Sequence, residues 1–512
     1  MTGNGSRPRI RQNNYSPLEA PAVGHWTPEL QVSVVIPAHG GQYVLDLALA
    51  ALSAQTYPGH LTEVIIVDDG SEPPVRLPPI RPENTRLIVA DSSGWGPGHA
   101  VNAGVKASDG TVIQRFDADM VVFREHLEAL MRWHHLTDYV VAIGGKRFIE
   151  EPVVAVEDMR HAVLHDALGE ITDLSKAVLH STEQVVINLD GLRRSKAPYH
   201  ALTGPTVSFH RAMFDAVGGF DPAVIRGEDT ELGYRFAQYG AVFVADLEAR
   251  GLHIGLSTQG INPTETVRVV APYLAHRIPL RRDLREHGGR SWLVPYVDVV
   301  FDVSDATEQQ VHEAVDAALS GTLPDVRVTL VAPWSTLPRG RHSTLNEPAF
   351  ELRMLREAYR HDPRVRLVDE VSPTSFPSPY RYVGPLDVLL EPASLETMIE
   401  QVSEGGPGLL EITFDDGREA RLERTEAVGR ALLLAAPDEP LADVIRETHG
   451  VRQEASAAFW PPRELEQDES TQEDDGQGTD SAQAPVTGEV ARPAGRRSGR
   501  WPGLGGLRPS SR

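Results

Sequence analysis

Short, β-branched apolar segments alternate with segments of helical spacing in the first third of the chain. Residues 32–36 and 63–67 have the composition of buried strands, and apolar residues recur at helical intervals between residues 44 and 52. A strand, a crossover helix and a second strand form a right-handed βαβ unit with parallel strands. Because ligands bind at the carboxyl ends of the strands in such sheets, segments 37–41 and 68–71 are predicted to lie at a binding edge.

Two more strands extend this pattern. They are predicted at residues 85–90 and 111–116, and a helix over 100–107 separates them. A glycine-rich turn that contains Gly96 leads into this helix. Free backbone N–H groups at a helix N-terminus bind phosphate, although glycine-rich loops are common and the turn is weak support by itself. The last strand leads directly into an acidic segment at the same edge of the sheet.

Asp117 and Asp119 form this acidic segment, two carboxylates one residue apart. Residues i and i+2 of an extended segment project to the same side, so both side chains can converge on one divalent cation. A solvated loop is the alternative interpretation of an isolated Asp-x-Asp segment in an acidic chain.

The composition limits the class of protein. A chain of 512 residues exceeds the length at which one hydrophobic core stops growing, so two folded domains plus tails are predicted. The formal charge of −23 argues against a general nucleic-acid-binding protein. The chain has no cysteine, which excludes disulfides and thiolate metal sites and fits the cytoplasm. No segment has the about 18 to 20 consecutive apolar residues of a membrane span, so a soluble, cytoplasmic protein is expected.

Four regions are predicted along the chain. They are a flexible or loosely docked arm (1–30), an α/β domain (31–288), a second, smaller α/β domain (289–460) and a disordered tail (461–512). The tail is first acidic and then basic. Its basic end is a candidate for peripheral contact with the anionic inner face of a membrane, and a solvated tail is the simpler interpretation.

The second domain contains an internal repeat of the first. The predicted strand, helix, strand, strand, strand and helix are residues 297–301, 308–319, 326–331, 364–368, 386–390 and 393–402. Ala332-Pro333-Trp334 stands where the first domain has Asp68-Asp69-Gly70, and Glu391-Pro392 stands where an acidic pair should be. Asp415-Asp416-Gly417 lies between two alternating segments, which predicts a hairpin turn. The domain is interpreted as a degenerate copy of the first that binds an acceptor or mediates dimerisation.

A series of five motifs resembles that of the inverting, GT-A-fold glycosyltransferases of family 2. The motifs are Val34-Val35-Ile36-Pro37-Ala38, Val67-Asp68-Asp69-Gly70-Ser71, Asn102-Ala103-Gly104, Phe116-Asp117-Ala118-Asp119 and Gly227-Glu228-Asp229-Thr230-Glu231-Leu232. Their order and spacing fit across residues 31–260. The resemblance implies a Rossmann-like, mostly parallel GT-A sheet in the first domain and makes the second domain a degenerate GT-A-like module.

The resemblance also implies how a nucleotide-sugar donor is bound. The end of the first strand and the Asp-Asp-Gly-Ser turn hold the base and ribose, with Asp68 supporting the turn. The candidate nucleotide-sugar-binding residues are Pro37, Ala38, Asp68, Asp69, Gly96, Asn102 and Asp117. His39, Gly40 and Val101 depart from the residues that the family often has at these places, which leaves the donor sugar open.

Asp117 and Asp119 take the place of the family's DXD motif, which binds Mn²⁺ or Mg²⁺. Asp119 is the stronger ligand candidate, and Asp117 faces ribose or the metal. His253 falls where several GT-A enzymes have a third ligand, although a lone histidine is more often structural. A cation there neutralises the charge that develops on the leaving diphosphate, and an oxygen-rich site without thiolates suits these two metals.

Asp229 is the catalytic base that the resemblance implies, and Glu228 shapes the acceptor pocket or touches the acceptor. An inverting displacement needs one carboxylate to take the proton of the acceptor hydroxyl. Position alone would make Asp229 an N-terminal cap of the helix predicted over residues 230–239. The upstream motifs favour the base.

These inferences predict a metal-dependent, inverting glycosyltransferase that moves a sugar from a nucleotide diphosphate-sugar, UDP-linked, to a hydroxyl acceptor. The acceptor is a saccharide, a lipid-linked molecule or a small molecule, and surface polysaccharide or glycoconjugate synthesis is one setting. Three alternatives stay open, of which a polymerase with two active modules is disfavoured by the carboxylates missing from the second domain. A sugar-1-phosphate nucleotidyltransferase would need a Gly-x-Gly-Thr-Arg loop, and a catalytically silent carbohydrate-binding or scaffold protein would not need the acids. A homodimer is also open.

Overall fold

A nine-stranded sheet carries the predicted binding edge. The computed structural model describes residues 7–255, 263–285, 290–341, 343–403 and 405–460. The strands of the first sheet are β1 (Val32–Ala38), β2 (Thr62–Asp68), β3 (Thr85–Val89), β4 (Val112–Arg115), β5 (Met120–Val122), β6 (Val140–Ile149), β7 (Val178–Leu179), β8 (Val207–His210) and β9 (Val242–Ile254). Their order is β3-β2-β1-β4-β8-β6-β9-β5, with β7 beside β6. Strands β3, β2, β1 and β4 are parallel, as are β6 and β9, so the predicted α/β sheet is confirmed.

Helices cover both faces of the first sheet. Val34 and Ile36 of β1 pack in one apolar cluster with Leu45, whereas Val35 packs in another with Val101. Alternate residues of a strand point to opposite faces, so a strand covered on both sides is apolar throughout. The helices of this region are α1 (Gln42–Leu52), α2 (Pro97–Lys106), α3 (His126–His134), α4 (Val156–Leu164), α5 (Leu168–Ile171), α6 (Ser181–Asn188), α7 (Arg211–Ala216), α8 (Glu228–Tyr239) and α9 (Pro263–Arg277).

Gly104 allows α2 to lie directly on the sheet. A Cβ atom at this position would lie 2.4 Å from Val35 Cγ1 and 2.9 Å from Val67 Cγ2. Both distances are shorter than a carbon–carbon contact, so a larger residue would push the helix away. This close packing sets the N-terminus of α2, and the turn at Gly96, beside the carboxyl ends of β1 and β2.

A seven-stranded sheet forms the second half of the described chain. Its strands are β10 (Val297–Asp302), β11 (Val326–Val331), β12 (Val365–Val368), β13 (Tyr380–Val383), β14 (Leu409–Thr413), β15 (Glu419–Arg424) and β16 (Val451–Ala455). Its helices are α10 (Glu308–Leu319), α11 (Phe350–Tyr359), α12 (Ser394–Val402), α13 (Thr425–Leu434) and α14 (Leu441–Thr448). Short 3-10 helices in the two regions lie at Gly59–Leu61, Leu174–Lys176, Pro198–Ala201, Arg282–Leu284, Trp334–Thr336, Thr344–Asn346 and Ser456–Ala458.

The second sheet repeats the strand order and the strand directions of the first. Its order is β12-β11-β10-β13-β15-β14-β16, which corresponds to β3-β2-β1-β4-β8-β6-β9. The first four strands of each order are parallel, the fifth is antiparallel to both of its neighbours, and the last two are parallel to each other. The repeat that the sequence indicated therefore extends to the order and directions of seven strands, while β5 and β7 of the first sheet have no counterpart in the seven-stranded sheet.

One predicted strand of the second domain is wrong. The fourth strand is Tyr380–Val383, and not residues 386–390. Gly384 and Pro385 end the strand, because proline has no N–H to donate to the sheet. The predicted helix over 393–402 is confirmed as α12, and the predicted hairpin turn joins β14 to β15.

The described part of the N-terminal arm is packed, which differs from the prediction of a flexible or loosely docked segment. Ile10 and Tyr15 are fully buried. The Gln12 N–H donates to the Thr448 carbonyl oxygen at 2.7 Å, and the Asn13 side chain donates to the Phe243 carbonyl oxygen at 2.9 Å. Two apolar anchors in a polar segment are sufficient to dock it.

The arm lies where the two sheet regions meet. The buried Arg430 guanidinium of α13 donates to the carbonyl oxygens of Gly240 and Ala241, and also to those of Ile10 and Gln12. The described residues therefore belong to one compact unit. The predicted disordered tail, 461–512, lies outside the described residues. Among the helices that the structure describes, none is long and apolar enough to cross a bilayer.

Candidate active site

The carboxyl ends of β1, β2 and β4 meet at one edge of the first sheet. Ala38 of β1 is paired with Asp68 of β2, and Val35 is paired with Arg115 at the end of β4. The chain then passes through Asp117 and Asp119 into β5. The parallel register thus brings the residues predicted to hold a donor and a cation to neighbouring positions.

Asp117, Asp119 and His253 form a cluster in which one ligand atom from each lies within 4.8 Å of the others. His253 comes from β9, where it is paired with Met120 of β5. Its Nε2 lies 3.4 Å from Asp119 Oδ1 and 4.0 Å from Asp117 Oδ2. The Nδ1 atom lies 3.2 Å from the Ile254 carbonyl oxygen, so the neutral ring has its proton on Nδ1 and its lone pair on Nε2, toward the acids.

The chemistry of this cluster fits a hard divalent cation. Asp119 Oδ1 is buried and has no hydrogen-bond partner among the described residues. Burial raises the pKa of Asp119, and the nearby Asp117 carboxylate adds to this rise, while His253 opposes it. Two carboxylates and one imidazole nitrogen are ligands that Mn²⁺ and Mg²⁺ accept. Within the described parts of the chain, this is the one group of three or more such ligands.

The turns that follow β1, β2 and β3 are joined by hydrogen bonds. Asp68 accepts from the N–H groups of Ser71, at 2.8 Å, and Val75, at 3.1 Å. Burial alone would raise the pKa of Asp68, but hydrogen bonds from Ser71 and Val75 bring it below its ordinary value. Asp69 Oδ2 accepts from the Gly96 N–H at 2.7 Å. Asp68 therefore supports the turn, and Asp69 ties it to the glycine-rich segment.

The remaining donor-side candidates differ in their surroundings. Ala38 is buried at the end of β1, and Pro37 beside it is partly exposed. The Asn102 side chain is engaged by the backbone of Phe220, to whose carbonyl oxygen it donates at 2.8 Å and from whose N–H it accepts at 2.9 Å. This amide holds the turn formed by Gly218-Gly219-Phe220-Asp221 against α2. Trp95 is 64% exposed, so it is not a core residue.

Glu228 and Asp229 lie in the first turn of α8. The residue before the helix is Gly227, with a φ of 85°. Asp229 Oδ2 accepts a hydrogen bond from the Gly204 N–H at 2.6 Å, and Gly204 belongs to the segment before β8. Asp229 is therefore bound to a neighbouring segment, and the structure does not use it as the cap of its own helix.

Burial, and then the neighbouring Asp229 carboxylate, raise the pKa of Glu228 to about 7, although Arg115 opposes this rise. Glu228 is 8% exposed. Two adjacent carboxylates in a buried place share a limited amount of positive charge, so one of them keeps its proton at a higher pH. The pair thus combines an acid that is protonated near neutral pH with the predicted base.

Arg115 is a site residue that the sequence interpretation missed. This buried residue ends β4, and its guanidinium lies 2.7 Å from Asp117 Oδ1 and 3.3 Å from Asp229 Oδ1. It lies 3.9 Å from Glu228 Oε1. The signal in the sequence was an arginine inside a segment predicted to be a buried strand, since buried arginines are almost always paired.

Lys146 of β6 is the second missed residue. Its buried ammonium group donates to the Thr203 carbonyl oxygen, and it lies 3.3 Å from Thr203 Oγ1. Burial lowers the pKa of Lys146 to about 8, although Asp229 and Asp117 favour the charged form. A Cβ atom on Gly204 would lie 3.5 Å from Lys146 Nζ and 3.9 Å from Asp117 Oδ2. Glycine at this place, with a φ of 72°, lets the cations and the acids approach one backbone segment.

His161 and His165, which form a His-x-x-x-His pair in the sequence, lie outside the site. Both side chains are exposed, and their rings lie 4.4 Å apart on the outer side of α4. Neither belongs to the cluster of metal-type ligands found in the described residues.

Comparisons with known proteins agree with the motif series. Residues 33–217 match the family model described as Glycosyl transferase family 2. Validoxylamine A glucosyltransferase from Streptomyces hygroscopicus subsp. limoneus is 25% identical over 264 residues, which are 48% of this chain and 56% of that protein. Pre-mycofactocin glycosyltransferase from Mycobacterium tuberculosis is 27% identical over 216 residues, which are 41% of this chain and 40% of that protein. The chain thus spans about half the length of the curated relatives it matches.

Two solved structures illustrate the structural comparison. One is a mannosyltransferase from Pyrobaculum calidifontis in complex with GDP-Man and Mn²⁺, with a TM-score of 0.35 and 17% identity over 52% of this chain and 67% of that chain. The other is TarS residues 1–349 from S. aureus in complex with UDP-GlcNAc, with a TM-score of 0.33 and 17% identity over 49% of this chain and 68% of that chain.

Proposed function

We propose that the chain transfers a sugar from a nucleotide diphosphate-sugar, UDP-linked, to a hydroxyl acceptor with inversion, and the match of residues 33–217 to the Glycosyl transferase family 2 model supports this proposal. The observation that carries the proposal is the arrangement around Arg115. A cation-type cluster that contains Asp117 lies on one side of this guanidinium, and Asp229 lies on the other. A glycosyl transfer needs these two kinds of group on either side of the anomeric carbon.

On the donor side, the proposed nucleotide-binding groups are the ends of β1 and β2 and the turn at Gly96. Pro37 and Ala38 form one wall, and Asp69, held by the Gly96 N–H, lies beside them. Asp68 holds the turn after β2 by accepting hydrogen bonds from the N–H groups of Ser71 and Val75. Asn102 contributes by holding α2 to the turn at Phe220.

Asp117, Asp119 and His253 are the residues that would hold Mn²⁺ or Mg²⁺. A divalent ion there supplies positive charge to the diphosphate as it leaves. The chain's own part in this step is to present Asp119 Oδ1, a buried oxygen without a hydrogen-bond partner among the described residues, and the Nε2 lone pair of His253. Asp117 directs one oxygen to this cluster and the other to Arg115.

On the acceptor side, Asp229 is the proposed base. Its carboxylate is held between the Gly204 N–H and Arg115, which fixes its orientation. As the acceptor oxygen forms its bond to the anomeric carbon, Asp229 takes the hydroxyl proton and the bond to the diphosphate breaks. Glu228, protonated near neutral pH, can donate a hydrogen bond to a second acceptor oxygen.

The first test is release of nucleoside diphosphate from UDP-, GDP- and TDP-sugars with Mn²⁺, with and without EDTA. UDP-glucose belongs in the panel because the first relative is a glucosyltransferase by name. Asp229→Asn should strongly reduce the release, whereas Asp415→Asn, an exposed acid in the β14–β15 turn, should leave it unchanged. Slow release from one donor that EDTA abolishes would identify that donor.

The acceptor is tested separately with the same donor. A saccharide, a lipid-linked molecule and a small polyhydroxylated molecule cover the three predicted classes. If a folded sample binds no donor in calorimetry, the enzyme proposal fails and a scaffold protein is the remaining interpretation. Donor binding that needs Mn²⁺ but gives no release means that an acceptor is required for turnover.

A further inference from the structure

Arg115 lies between the two halves of the candidate site. Its side chain is 5% exposed, and it contacts one carboxylate on the cation side and two on the acceptor side. Nη1 faces Asp117 at 2.7 Å, and Nε faces Asp229 at 3.3 Å. Neither DXD-type metal binding nor proton abstraction by itself requires an arginine here, so this residue calls for its own explanation.

We propose that Arg115 is a positioning residue that orients Asp117 for the cation and Asp229 for the acceptor hydroxyl at the same time. The guanidinium is planar and spreads its charge over three nitrogens, so it can face both acids at once. In the structure Nη1 and Nε face the two acids as ion pairs, without the geometry of hydrogen bonds. The Oδ1 atom of Asp117 faces Arg115, and its Oδ2 atom faces His253 Nε2 at 4.0 Å. The Oδ1 atom of Asp229 faces Arg115, and its Oδ2 atom accepts a hydrogen bond from the Gly204 N–H. A hydrogen bond from Gly204 and an ion pair with Arg115 hold Asp229, and the charge of the same guanidinium attracts Asp117.

The second anchor of Asp229 is itself rigid, so Arg115 works against a fixed partner. Thr206 has a φ of 74°, which is rare for a β-branched residue. Its carbonyl oxygen accepts from the Gly144 N–H at 2.8 Å, and its hydroxyl donates to the Gly144 carbonyl oxygen at 3.1 Å. Lys146 holds the Thr203 carbonyl oxygen on the other side of Gly204. These bonds hold the Gly204 N–H in place.

The charges around Arg115 explain why the position needs a cation with several donors. Asp117, Asp119, Glu228 and Asp229 are four acids, and the cations near them are Arg115 and Lys146, with His253 beside the first two acids. A single ammonium group would satisfy one carboxylate and leave the other acids unpaired in a buried place. The fork of an arginine serves both sides.

The proposal predicts the effect of Arg115→Lys. This variant keeps the charge but loses the fork, so Mn²⁺ affinity and acceptor activation should fall together. We expect about 10-fold weaker Mn²⁺ binding and a loss of about 100-fold in kcat/KM for the acceptor, the range seen when partners behind metal ligands are replaced. The acceptor half of this expectation rests on the proposed function, and the Mn²⁺ half does not.

The experiment compares Arg115→Lys with Arg132→Lys in the full chain. Arg132 is a matched control because it is also a buried arginine, with Nη2 2.6 Å from Asp246 Oδ2, and lies outside the candidate site. Mn²⁺ binding is measured without donor by electron paramagnetic resonance, and transfer is measured at saturating donor. Loss of both quantities in Arg115→Lys, with neither lost in Arg132→Lys, supports the proposal. Wild-type values for either quantity in Arg115→Lys overturn it, because the positioning is then not shared.

Two further measurements separate a folding defect and a failure of the proposed function from a failure of this inference. In Arg115→Ala, added guanidinium ions should restore part of the transfer activity, and no restoration in a folded sample contradicts the proposal. If the wild type transfers no sugar, the acceptor-side contact is tested by melting temperatures of Arg115→Lys, Asp229→Asn and the double variant. A non-additive effect supports the contact, and an additive effect overturns it.

Discussion

The first and the second sheet place different residues after equivalent strands. In the first sheet β2 leads into Asp68 and Asp69, and in the second sheet β11 leads into Ala332 and Pro333. Trp334 follows, is 8% exposed, and donates its indole N–H to the Leu330 carbonyl oxygen at 3.2 Å. An indole therefore fills the second edge where the first edge has a turn with the carboxylates of Asp68 and Asp69.

The opposite ends of the same strands are alike. In the first sheet Glu63 of β2 accepts from Ser33 of β1 and from Arg86 of β3, the latter at 2.9 Å. In the second sheet Asp298 of β10 faces Arg327 of β11 at 3.4 Å and Arg366 of β12 at 3.1 Å. The registers place Ser33 opposite Glu63 and Asp298 opposite Arg327. The acid has moved by one strand, and both sets of charges stay paired.

This difference separates what the fold requires from what the chemistry requires. A charge in a buried ladder must be paired in either module, because an unpaired buried charge is costly. The carboxyl edge has no such constraint, and there the first module has acids while the second has an indole and prolines. Topology alone thus provides an edge, and the residues after the strands decide whether it can bind a cation.

The largest expected effect comes from removing an acid at the first edge. Asp119→Ala should lower transfer by about 10³-fold, since several kcal/mol of transition-state stabilisation depend on the cation. Asp387→Ala is the matched change after β13 of the second sheet, where Asp387 is exposed and 2.5 Å from Arg418. Transfer should stay within about twofold of wild type there, because an exposed ion pair contributes little. The initial rates of transfer and the Mn²⁺ affinities of both variants are the measurements. Equal losses in Asp119→Ala and Asp387→Ala would contradict the difference between the two edges.

The next prediction compares the charge pairs of the two sheets, around Glu63 and around Asp298, through the free energy of unfolding. Asp298→Ala leaves two arginines without their acid, and we expect a loss of about 3 to 5 kcal/mol in the free energy of unfolding. Ser33→Ala removes one hydrogen bond to Glu63, which keeps Arg86, and the loss should be about 1 kcal/mol. Urea unfolding measures both. A larger loss of stability for Ser33→Ala than for Asp298→Ala would contradict this expectation.

The third prediction concerns pH and the first turns of two helices, α8 of the first region and α13 of the second. Since the pKa of Glu228 is raised to about 7 from an ordinary value of 4.5, its contribution to stability is complete below about pH 4.5 and is lost as the pH rises toward 7. Glu228→Gln should therefore stabilise the protein by about 2 kcal/mol at pH 8 and have no effect near pH 4.

Glu426 in α13 provides the opposite sign for the same substitution. It is paired with Arg424, so Glu426→Gln should destabilise the protein at pH 8 by up to about 1 kcal/mol. Urea unfolding of both variants at the two pH values is the measurement. Stabilisation by neither variant at pH 8 would show that burial does not favour the neutral form of Glu228.

The smallest expected effect is optical. Trp95 is exposed at the first edge and Trp334 is buried at the second, so a nucleotide that binds the first edge should change only the fluorescence of Trp95. Titration with nucleoside diphosphate should give a change in the wild type and in Trp334→Phe, and none in Trp95→Phe. A change that persists in Trp95→Phe would place the nucleotide elsewhere.

The parallel half of the first sheet could be predicted because its physics is local. Buried strands such as 32–36 are continuous apolar runs, and parallel strands bring their carboxyl ends to one edge. This is why Asp68, Asp117 and the turn at Gly96 could be placed together from the sequence. The roles assigned to them stay predictions until donor and cation binding are measured.

Other parts could not be predicted because their meaning depends on distant residues. Arg115 and Lys146 lie on strands, and only the approach of the Gly204 segment and of α8 makes them site residues. The arm is polar in composition, and its two buried anchors, Ile10 and Tyr15, have no local pattern. Strand β13 was misplaced because Leu386 to Leu390 is more apolar than Tyr380 to Val383, while the partner strand pairs with the latter.

The N-terminal arm is synthesised early, but several of its contacts need residues near the end of the described chain. Arg7 bonds to the Leu433 carbonyl oxygen, 426 residues later in the chain. Ile10 and Tyr15 have most of their buried neighbours between residues 129 and 249, so they can pack once the first sheet is complete. Arg9 and Gln12 contact Glu439 and Thr448, and they can complete these contacts only after α14 has been synthesised. A nascent chain stopped before residue 425 would therefore carry the arm without these polar contacts.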